Sequence, residues 1–224
     1  MKLGAASIRF TQTSDGDFSP PDATDDAALT ARRRSVLGDD SLGPWTWLRQ
    51  QHGREVVSVE QPGAFAGAAA DAAVAFVPRA PVAVVTADCA PIVLVANDAS
   101  CVGVVHAGWR GLLLGVTDAA IEIMRARGTN EITAALGPCI HAECYEFGEP
   151  ELQQMVDEFG EAVRGDTSDG KPALDVPAAV RVALERRNIA LAHDENACTA
   201  HTPGYWSYRA RRDTQRQATV AWLT

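Results

Sequence analysis

Short apolar runs alternate with turn-forming polar residues in the middle of the chain. The stretch from Pro81 to Gly111 reads PVAVVTADCAPIVLVANDASCVGVVHAGWRG, and three runs within it are rich in Val and Ile. Each run is only a few residues long and is bounded by Pro, Asp, Asn or Gly, which is typical of buried strands rather than of a helix. The predicted strands are Pro81–Val85, Ile92–Val95 and Val102–Val105.

Similar patterns predict elements on both sides of this stretch. Further strands are predicted at Ala5–Phe10, Trp45–Leu48, Val56–Val59, Glu131–Leu136, Ile189–Ala192 and Thr219–Leu223. Apolar residues at helical spacing predict helices at Ala27–Leu37, Leu112–Arg127, Pro150–Phe159 and Val176–Arg187. Asp26 is expected to cap the first helix. The Ala- and Gly-rich stretch from Ala64 to Ala73 fits a helix or a tight loop, and Asp71 within it is either a turn residue or part of a pocket.

Length and charge limit the classes of protein that fit. The chain has 224 residues, no internal repeat and no long linker, so we expect a single domain over residues 1–224. Its 29 acidic and 20 basic residues give a net charge of −9, which argues against a nucleic acid or an anionic membrane as partner. The longest apolar region contains Asp88, Asn97 and Asp98, so no membrane span is predicted.

The first residues and the cysteines indicate the compartment. MKLGAASIRF lacks the long apolar segment of a signal peptide, and we expect a cytoplasmic protein. The five cysteines are scattered and odd in number. Free thiols or metal ligands are therefore expected rather than a disulfide framework.

Three residues have side chains suited to a metal: His52 in RQQHG, Cys89 in TADC and His106 in HAGWRG. Imidazole and thiolate are preferred zinc ligands, and a catalytic zinc site usually has three protein ligands. The chain has no CxxC pair that would indicate a closed structural site. On spacing alone, a small core cysteine and hydrogen-bonded structural histidines are the ordinary interpretation.

The motifs around these residues change that balance. TADCAPIVL followed by HAGWRG, with QHG upstream, resembles the polyphenol oxidase/laccase-domain family, whose members are also described as purine nucleoside phosphorylases and as a peptidoglycan editing factor. The match continues through LGPCI, CYEFG and the terminal SYR and WL, and covers residues 45–224. The resemblance implies an α+β fold: a single domain of mixed β-sheets sandwiched between helices, in α/β/β/α layers.

The resemblance also implies a site and an activity. Zinc would be held by His52, Cys89 and His106, which are then the expected catalytic residues. The implied substrates are small molecules, a purine nucleoside and phosphate: phosphorolysis of adenosine, inosine or methylthioadenosine, together with deamination of adenosine. We expect a monomer or a homodimer.

Other residues near the motifs are candidates for the substrate pocket. Arg110 and the N–H groups near Gly108 and Gly111, at a predicted helix start, suit a phosphate. Arg49 is a second candidate cation. Trp109 either stacks on the base or packs in the core.

Two further residues have open roles. Asp88, next to Cys89, orients a ligating histidine, shuttles a proton or only forms a turn. Cys139, like Cys144, is expected to line the site because the family often has thiols here. Cys101 and Cys198 are expected to be structural, and His193 and His201 to be ordinary surface residues.

The sequence departs from the family pattern in two segments. An N-terminal stretch resembling NLG-x-HVGDD is rewritten as GDFSPPDATDD, and the expected TGR is Thr214-Gln215-Arg216. Three other functions stay open: a peptidoglycan-precursor editing hydrolase using the same Cys/His site, a copper-dependent polyphenol oxidase, and a binding protein with a structural metal. Copper oxidases of that type need several His-rich sites, and the chain has only five histidines.

Overall fold

The computed structural model describes residues 1–20, 27–39 and 41–224. The predicted cap at Asp26 and the central part of the rewritten N-terminal segment lie outside the described residues. The strands are β1 (Lys2–Leu3), β2 (Ala6–Phe10), β3 (Thr46–Arg49), β4 (Val56–Val59), β5 (Ala68–Ala69), β6 (Ala72–Ala75), β7 (Val82–Thr86), β8 (Ala90–Ala96), β9 (Val102–Ala107), β10 (Ile132–Leu136), β11 (Arg164–Asp166), β12 (Pro172–Leu174), β13 (Ala190–Asp194) and β14 (Gln217–Leu223). The helices are α1 (Ala27–Leu37), α2 (Trp109–Leu113), α3 (Val116–Ala126), α4 (Glu149–Phe159), α5 (Val176–Arg186) and α6 (Tyr208–Arg211).

Two mixed sheets form the centre of the molecule. The first sheet has the order β1-β2-β14-β7-β3-β5, and the second has the order β13-β10-β8-β9-β6-β4. Apolar side chains from both sheets, including Ile8, Val84, Val93 and Val104, form one buried cluster between them. The sheets therefore pack face to face.

Helices cover the outer face of each sheet. Leu29 and Leu37 of α1 pack with Trp222 on the first sheet. Residues of α3, α4 and α5 form a larger cluster with Ile92 and Leu94 on the second sheet. This order of layers confirms the expected α/β/β/α arrangement of an α+β fold.

Strand β8 shows why the central stretch is almost continuously apolar. Ile92 and Leu94 face the helices, whereas Val93 and Val95 face the other sheet. Every residue of β8 is buried, because both of its faces are covered. A strand with two covered faces has no polar side and so lacks the alternation of an exposed strand.

The helix predicted at Leu112–Arg127 differs from the structure in two respects. It is two helices, α2 and α3, separated at Leu114 and Gly115. Gly115 has a φ of 77°, in the left-handed region that glycine adopts without steric cost. The helix also starts earlier than expected, at Trp109, so Gly111 lies inside α2 and not at its start.

The Ala- and Gly-rich stretch proves to be extended rather than helical. After a series of turns it forms β5 and β6. Other short elements were not predicted from the sequence: strand β1, the hairpin of β11 and β12, and helix α6. No helix in the described part of the chain is long and apolar enough to cross a bilayer.

Strand register brings four distant segments to one edge of the second sheet. Val56, Ala72, Val105 and Ile92 lie in one row across β4, β6, β9 and β8. The segment before β4, the residue before β6, the bend before β8 and the end of β9 all lie just beyond this row. Any functional side chains in these four segments therefore meet at the same edge.

Candidate active site

The side chains of His52, Cys89 and His106 converge at this edge. One ligand atom from each lies within 4.8 Å of the other two. The two imidazole rings have centroids 4.8 Å apart and are inclined by 68°. His106 is buried, Cys89 is half-buried and His52 is exposed, so the group is open to solvent on one side.

The local fold places each of the three. Cys89 lies in the bend before β8, and His106 is the penultimate residue of β9, opposite Pro91. His52 lies in the loop after β3, with a φ of 55°. Gly108 lies directly against two of these side chains. A Cβ at this position would lie 2.7 Å from His52 Nδ1 and 3.2 Å from Cys89 Sγ. Position 108 therefore has to be glycine for the three side chains to keep this arrangement.

A buried carboxylate, Asp71, connects the two histidines. Its Oδ1 lies 2.8 Å from His106 Nδ1 and accepts the backbone N–H of His52 at 2.9 Å. Its Oδ2 accepts the N–H groups of Gln51 and Gly53 at 3.0 and 2.8 Å. Because a carboxylate only accepts, Nδ1 of His106 carries a proton, and Nε2 is the nitrogen at which a metal would take the place of the second proton.

Charges within the group shift the pKa values of its members. Burial opposes ionisation of Cys89, but the imidazoles of His106 and His52 outweigh it and lower the thiol pKa to about 6. Burial also opposes protonation of His106, while Cys89 and Asp71 outweigh it and raise the His106 pKa to about 9. A thiolate, the form in which cysteine binds metals, is thus favoured at neutral pH.

A cavity of about 440 Å³ opens beside the three side chains. Its volume lies in the range typical of small-molecule sites. His52, Cys89 and His106 form part of its wall, and the aromatic rings of Trp109, Tyr145 and Tyr208 form another part.

Three arginines, Arg110, Arg209 and Arg216, also line the cavity. The guanidinium carbon of Arg110 lies 4.4 Å from the ring centre of Trp109, and that of Arg209 lies 4.4 Å from the ring centre of Tyr145. None of the three forms a salt bridge with the described residues. Nη1 of Arg209 donates to Glu146 O, and Nη1 of Arg216 donates to the backbone oxygens of Asp213 and Gln215. The three guanidinium groups bring positive charge to the cavity wall of a chain that is acidic as a whole.

Asp88 does not orient a histidine, contrary to one of its expected roles. Its Oδ1 accepts the hydroxyl of Thr199 at 2.7 Å, and its Oδ2 accepts the N–H of Arg209 at 2.6 Å. Asp88 has a φ of 102°, which is strained for a residue other than glycine. Asp88 therefore connects the turn before Cys89 to Thr199 and Arg209 in the C-terminal part of the chain. The carboxylate that orients His106 is Asp71.

Two other candidates lie outside the cavity wall. Arg49 is exposed, and its guanidinium carbon lies 5.6 Å from the ring centre of Trp47. Cys139 is buried in the core beneath the helices, and burial raises its thiol pKa well above the usual value. Trp109 and Arg110 do line the cavity, whereas Gly108 lies behind the metal-ligating side chains.

The functional residues that were not predicted carry only partial signals in the sequence. Arg209 and Tyr208 belong to the terminal SYR motif and Tyr145 to CYEFG, both of which resemble the family pattern. Arg216 is the last residue of the altered TGR segment, and it reaches the cavity although the preceding glycine is absent. Asp71 stands in an Ala- and Gly-rich stretch with no motif around it.

Sequence comparison finds one matching family and several relatives that share one name. Residues 13–224 match a family described as multi-copper polyphenol oxidoreductase laccase. A protein of Streptomyces griseus named purine nucleoside phosphorylase is 39% identical over 208 residues, which cover 89% of this chain and 83% of that relative. A protein of Mycobacterium tuberculosis with the same name is 31% identical over 225 residues, covering 98% and 88% of the two chains.

Solved structures share the fold. The crystal structure of a Neisseria meningitidis protein is 27% identical with a TM-score of 0.80, and the match covers 99% of this chain and 95% of that one. The hypothetical protein YfiH of Bacillus licheniformis has a TM-score of 0.83 at 22% identity, over 98% and 93% of the two chains. These similarities extend over nearly the whole molecule.

Proposed function

The chain belongs to the multi-copper polyphenol oxidoreductase laccase family, and we propose that it is a purine nucleoside phosphorylase that holds zinc at His52, Cys89 and His106. The observation that carries the proposal is a group of three metal-ligating side chains in the wall of a cavity lined by arginines. Relatives named purine nucleoside phosphorylase at 31–39% identity support the choice of reaction.

The residues present fit zinc. Two imidazole nitrogens and one thiolate are ligands that zinc prefers, and three protein ligands are typical of a catalytic zinc. Asp71 supplies the outer carboxylate that commonly holds a ligating histidine. Gly108 leaves no side chain between the ligands. When bound, zinc would supply a Lewis acid at the cavity wall.

The arginines provide for the second substrate. Phosphate carries one to two negative charges at neutral pH and needs cationic or N–H donors. Arg110, Arg209 and Arg216 can each donate several N–H groups, and two of them are held over aromatic rings. We assign the binding of phosphate to these three arginines.

The aromatic rings provide for the nucleoside. Trp109 is fixed by an edge contact with Phe147, whose ring centre lies 5.4 Å away. Burial raises the pKa of Tyr145 to about 12, and its hydroxyl therefore stays protonated and can donate a hydrogen bond. In phosphorolysis an oxygen of phosphate bonds to the ribose carbon as the bond from that carbon to the purine nitrogen breaks. Donors beside the base stabilise the negative charge that develops on the departing purine.

Adenosine deamination is proposed as a second activity of the same cavity. The group of His52, Cys89 and His106 is the feature that favours it, because hydrolytic deamination needs a metal or an acid–base residue at the purine. The reaction consumes water and needs no phosphate. It is therefore distinguished from phosphorolysis by the product formed when phosphate is left out.

The proposal is tested with zinc-loaded protein and a panel of adenosine, inosine and methylthioadenosine. With phosphate, free base and ribose 1-phosphate or its methylthio analogue are expected; without phosphate, inosine formed from adenosine would report deamination. Cys89→Ala should abolish product formation, and Cys101→Ala, a buried cysteine far from the cavity, should not. Absence of any product from fully loaded protein would refute the proposal.

A second function has one observation in its favour. The thiol pKa of about 6 and the neighbouring His106 form a thiolate–imidazolium pair of the kind that acts as a nucleophile. A peptidoglycan-precursor editing hydrolase would use Cys89 in this way. It would be supported by wrongly built muropeptides in a deletion strain and a covalent adduct on Cys89.

Copper-dependent phenol oxidation is the less favoured alternative. The family description names copper, and oxidases with several coppers rely on clusters of histidines. The described residues group only two histidines around Cys89. Copper bound stoichiometrically by protein purified from its own host, with oxidation of phenols, would favour this alternative over zinc.

A further inference from the structure

A second group of metal-ligating side chains lies outside the cavity wall. Glu143, Cys144, Cys198 and His201 each offer one ligand atom, and these atoms all lie within 4.8 Å of one another. Glu143 and Cys144 end a short 3-10 helix, Ala142–Cys144, and Cys198 and His201 lie in the segment between β13 and α6. Two segments far apart in sequence thus contribute two ligands each.

We propose that these four residues form a structural zinc site, separate from the site at His52, Cys89 and His106. Two thiolates, one imidazole and one carboxylate complete a four-coordinate shell without a position for substrate, as structural zinc requires. The C-x₂-H spacing of Cys198 and His201 gives one closely spaced pair, and the adjacent Glu143 and Cys144 give the other.

The separations between the ligand atoms suit this coordination. Cys144 Sγ lies 3.4 Å from His201 Nδ1, and His201 Nδ1 lies 3.8 Å from Glu143 Oε1. Ligand atoms bound to zinc at 2.0–2.3 Å in a tetrahedron lie roughly 3.3–3.8 Å apart. Because all the ligand atoms lie within 4.8 Å of one another, no pair needs to close by more than about 1 Å, which side-chain rotation at a partly exposed site can supply.

One sulfur atom of the group has a backbone hydrogen-bond donor directed at it. Cys198 is buried, and its Sγ accepts the backbone N–H of His141 at 3.4 Å. Backbone N–H groups directed at a ligating atom are the outer hydrogen bonds that accompany metal sites. The side chains of His201 and Glu143 are 58% and 42% exposed, so zinc can reach the site from solvent.

The position of the site indicates what it would do. Thr199, next to Cys198, donates its hydroxyl to Asp88, and Asp88 precedes Cys89. The backbone N–H of Thr199 also donates to Cys139 O. Zinc bound between the two segments would fix Thr199 and through it the turn that carries Cys89. We assign the second site a positioning role toward the cavity, not a catalytic one.

The test is metal content measured by mass spectrometry on protein loaded with excess zinc and desalted. Wild type should hold two zinc ions per chain, and Cys89→Ala should hold one, because only the cavity site is removed. Adding Cys198→Ser to Cys89→Ala should remove the remaining zinc. Cys101→Ala is the matched control, a buried cysteine hydrogen-bonded to Thr129, and should keep two.

A second variant and a spectroscopic readout keep the test independent of folding. His201→Ala changes an exposed side chain and should weaken zinc binding at the second site at least tenfold. In the Cys89→Ala background, cobalt should give thiolate-to-cobalt charge-transfer absorption that disappears with Cys198→Ser. Cys89→Ala protein that binds no zinc, or binds it equally well without Cys198, would overturn the second site. If wild type binds one zinc ion and Cys198→Ser removes it, the second site is supported and the site at His52, Cys89 and His106 is overturned.

Discussion

At the scale of single residues, Asp71 organises the site of His52, Cys89 and His106 although it is fully buried and is not part of the cavity wall. It accepts three backbone N–H groups from residues 51–53 and the ring N–H of His106. One carboxylate therefore fixes both the loop that carries His52 and the tautomer of His106. Burial opposes its ionisation, but these donors outweigh it and lower its pKa, so it stays charged.

Asp71→Asn should lower zinc affinity about 10- to 100-fold, the usual cost of losing an outer-shell partner of a ligating histidine. The amide NH₂ would face a backbone N–H or the His106 ring N–H, so at least one contact becomes repulsive. Zinc affinity is measured by competition with a chromophoric chelator. Asp98→Asn, which alters an exposed turn carboxylate bonded to the Ser100 N–H, should leave the affinity unchanged; equal losses in both variants would contradict the role of Asp71.

Gly108→Ala should weaken zinc binding by tenfold or more while the protein remains folded. The added Cβ would lie 2.7 Å from His52 Nδ1, and the exposed His52 side chain would move away from Cys89. Loss of one of three ligands leaves only His106 and Cys89. The same competition assay and the circular dichroism spectrum check this.

Gly103→Ala is the control for crowding in general. Gly103 lies in β9, the strand that carries His106, and a Cβ at this position would lie 3.3 Å from Val74 Cγ2 of the neighbouring strand β6. It should cost stability without changing zinc affinity. If Gly108→Ala binds zinc normally, His52 is not a ligand.

Residue chemistry was predictable from the sequence only where a motif surrounded the residue. His52, Cys89 and His106 stand in recognisable motifs and meet in space. Asp71 could not be assigned, because its role depends on the register that places Ala72 opposite Val105. The grouping of His201 with Cys144 depends likewise on how two separate segments pack.

At the scale of elements, the start of helix α5 is marked in the sequence by both a capping residue and a proline in the first turn. Asp175 caps it by accepting the N–H of Ala178 at 2.8 Å, and Pro177 occupies the first turn, where its missing N–H costs nothing. The predicted start at Val176 agrees with the structure for this reason. By contrast, β11 and β12 have three residues each, too few for any periodicity to indicate them.

Asp175→Ala should destabilise the protein by about 1 kcal/mol, the usual cost of losing a side-chain cap. Urea unfolding measures the change as a shift of the midpoint at constant slope. Asp175→Asn keeps a capping oxygen and should lose only a few tenths of that amount. Catalytic rate per folded molecule should be unchanged in both, and a cost of Asp175→Asn equal to that of Asp175→Ala would show that the cap contributes nothing.

At the scale of the whole molecule, the chain passes back and forth between the sheets. Strands β3, β5 and β7 belong to the first sheet, and β4, β6 and β8 belong to the second. The sequence shows the individual strands but not this order, because sheet partners far apart in the chain leave no local pattern. The apolar face that each strand turns inward could be predicted; the sheet to which it belongs could not.

This alternation leads us to propose that residues 1–224 unfold as one cooperative unit. The strands of the first sheet alternate along the chain with strands of the second, so neither sheet is built from one continuous segment. The buried cluster containing Ile8, Val84 and Val104 is formed by side chains of both sheets. Hydrogen exchange in increasing urea should therefore give amides of β8 and β14 the same free energy of opening, at one fixed zinc concentration because bound metal adds to stability. Two separate transitions, with β2 and β14 opening before β8 and β9, would show that the first sheet unfolds on its own. In that case the edge of the second sheet would persist without β3 and β7, the strands of the first sheet that lead into the segments of His52 and Cys89, and zinc binding would be lost before the second sheet unfolds.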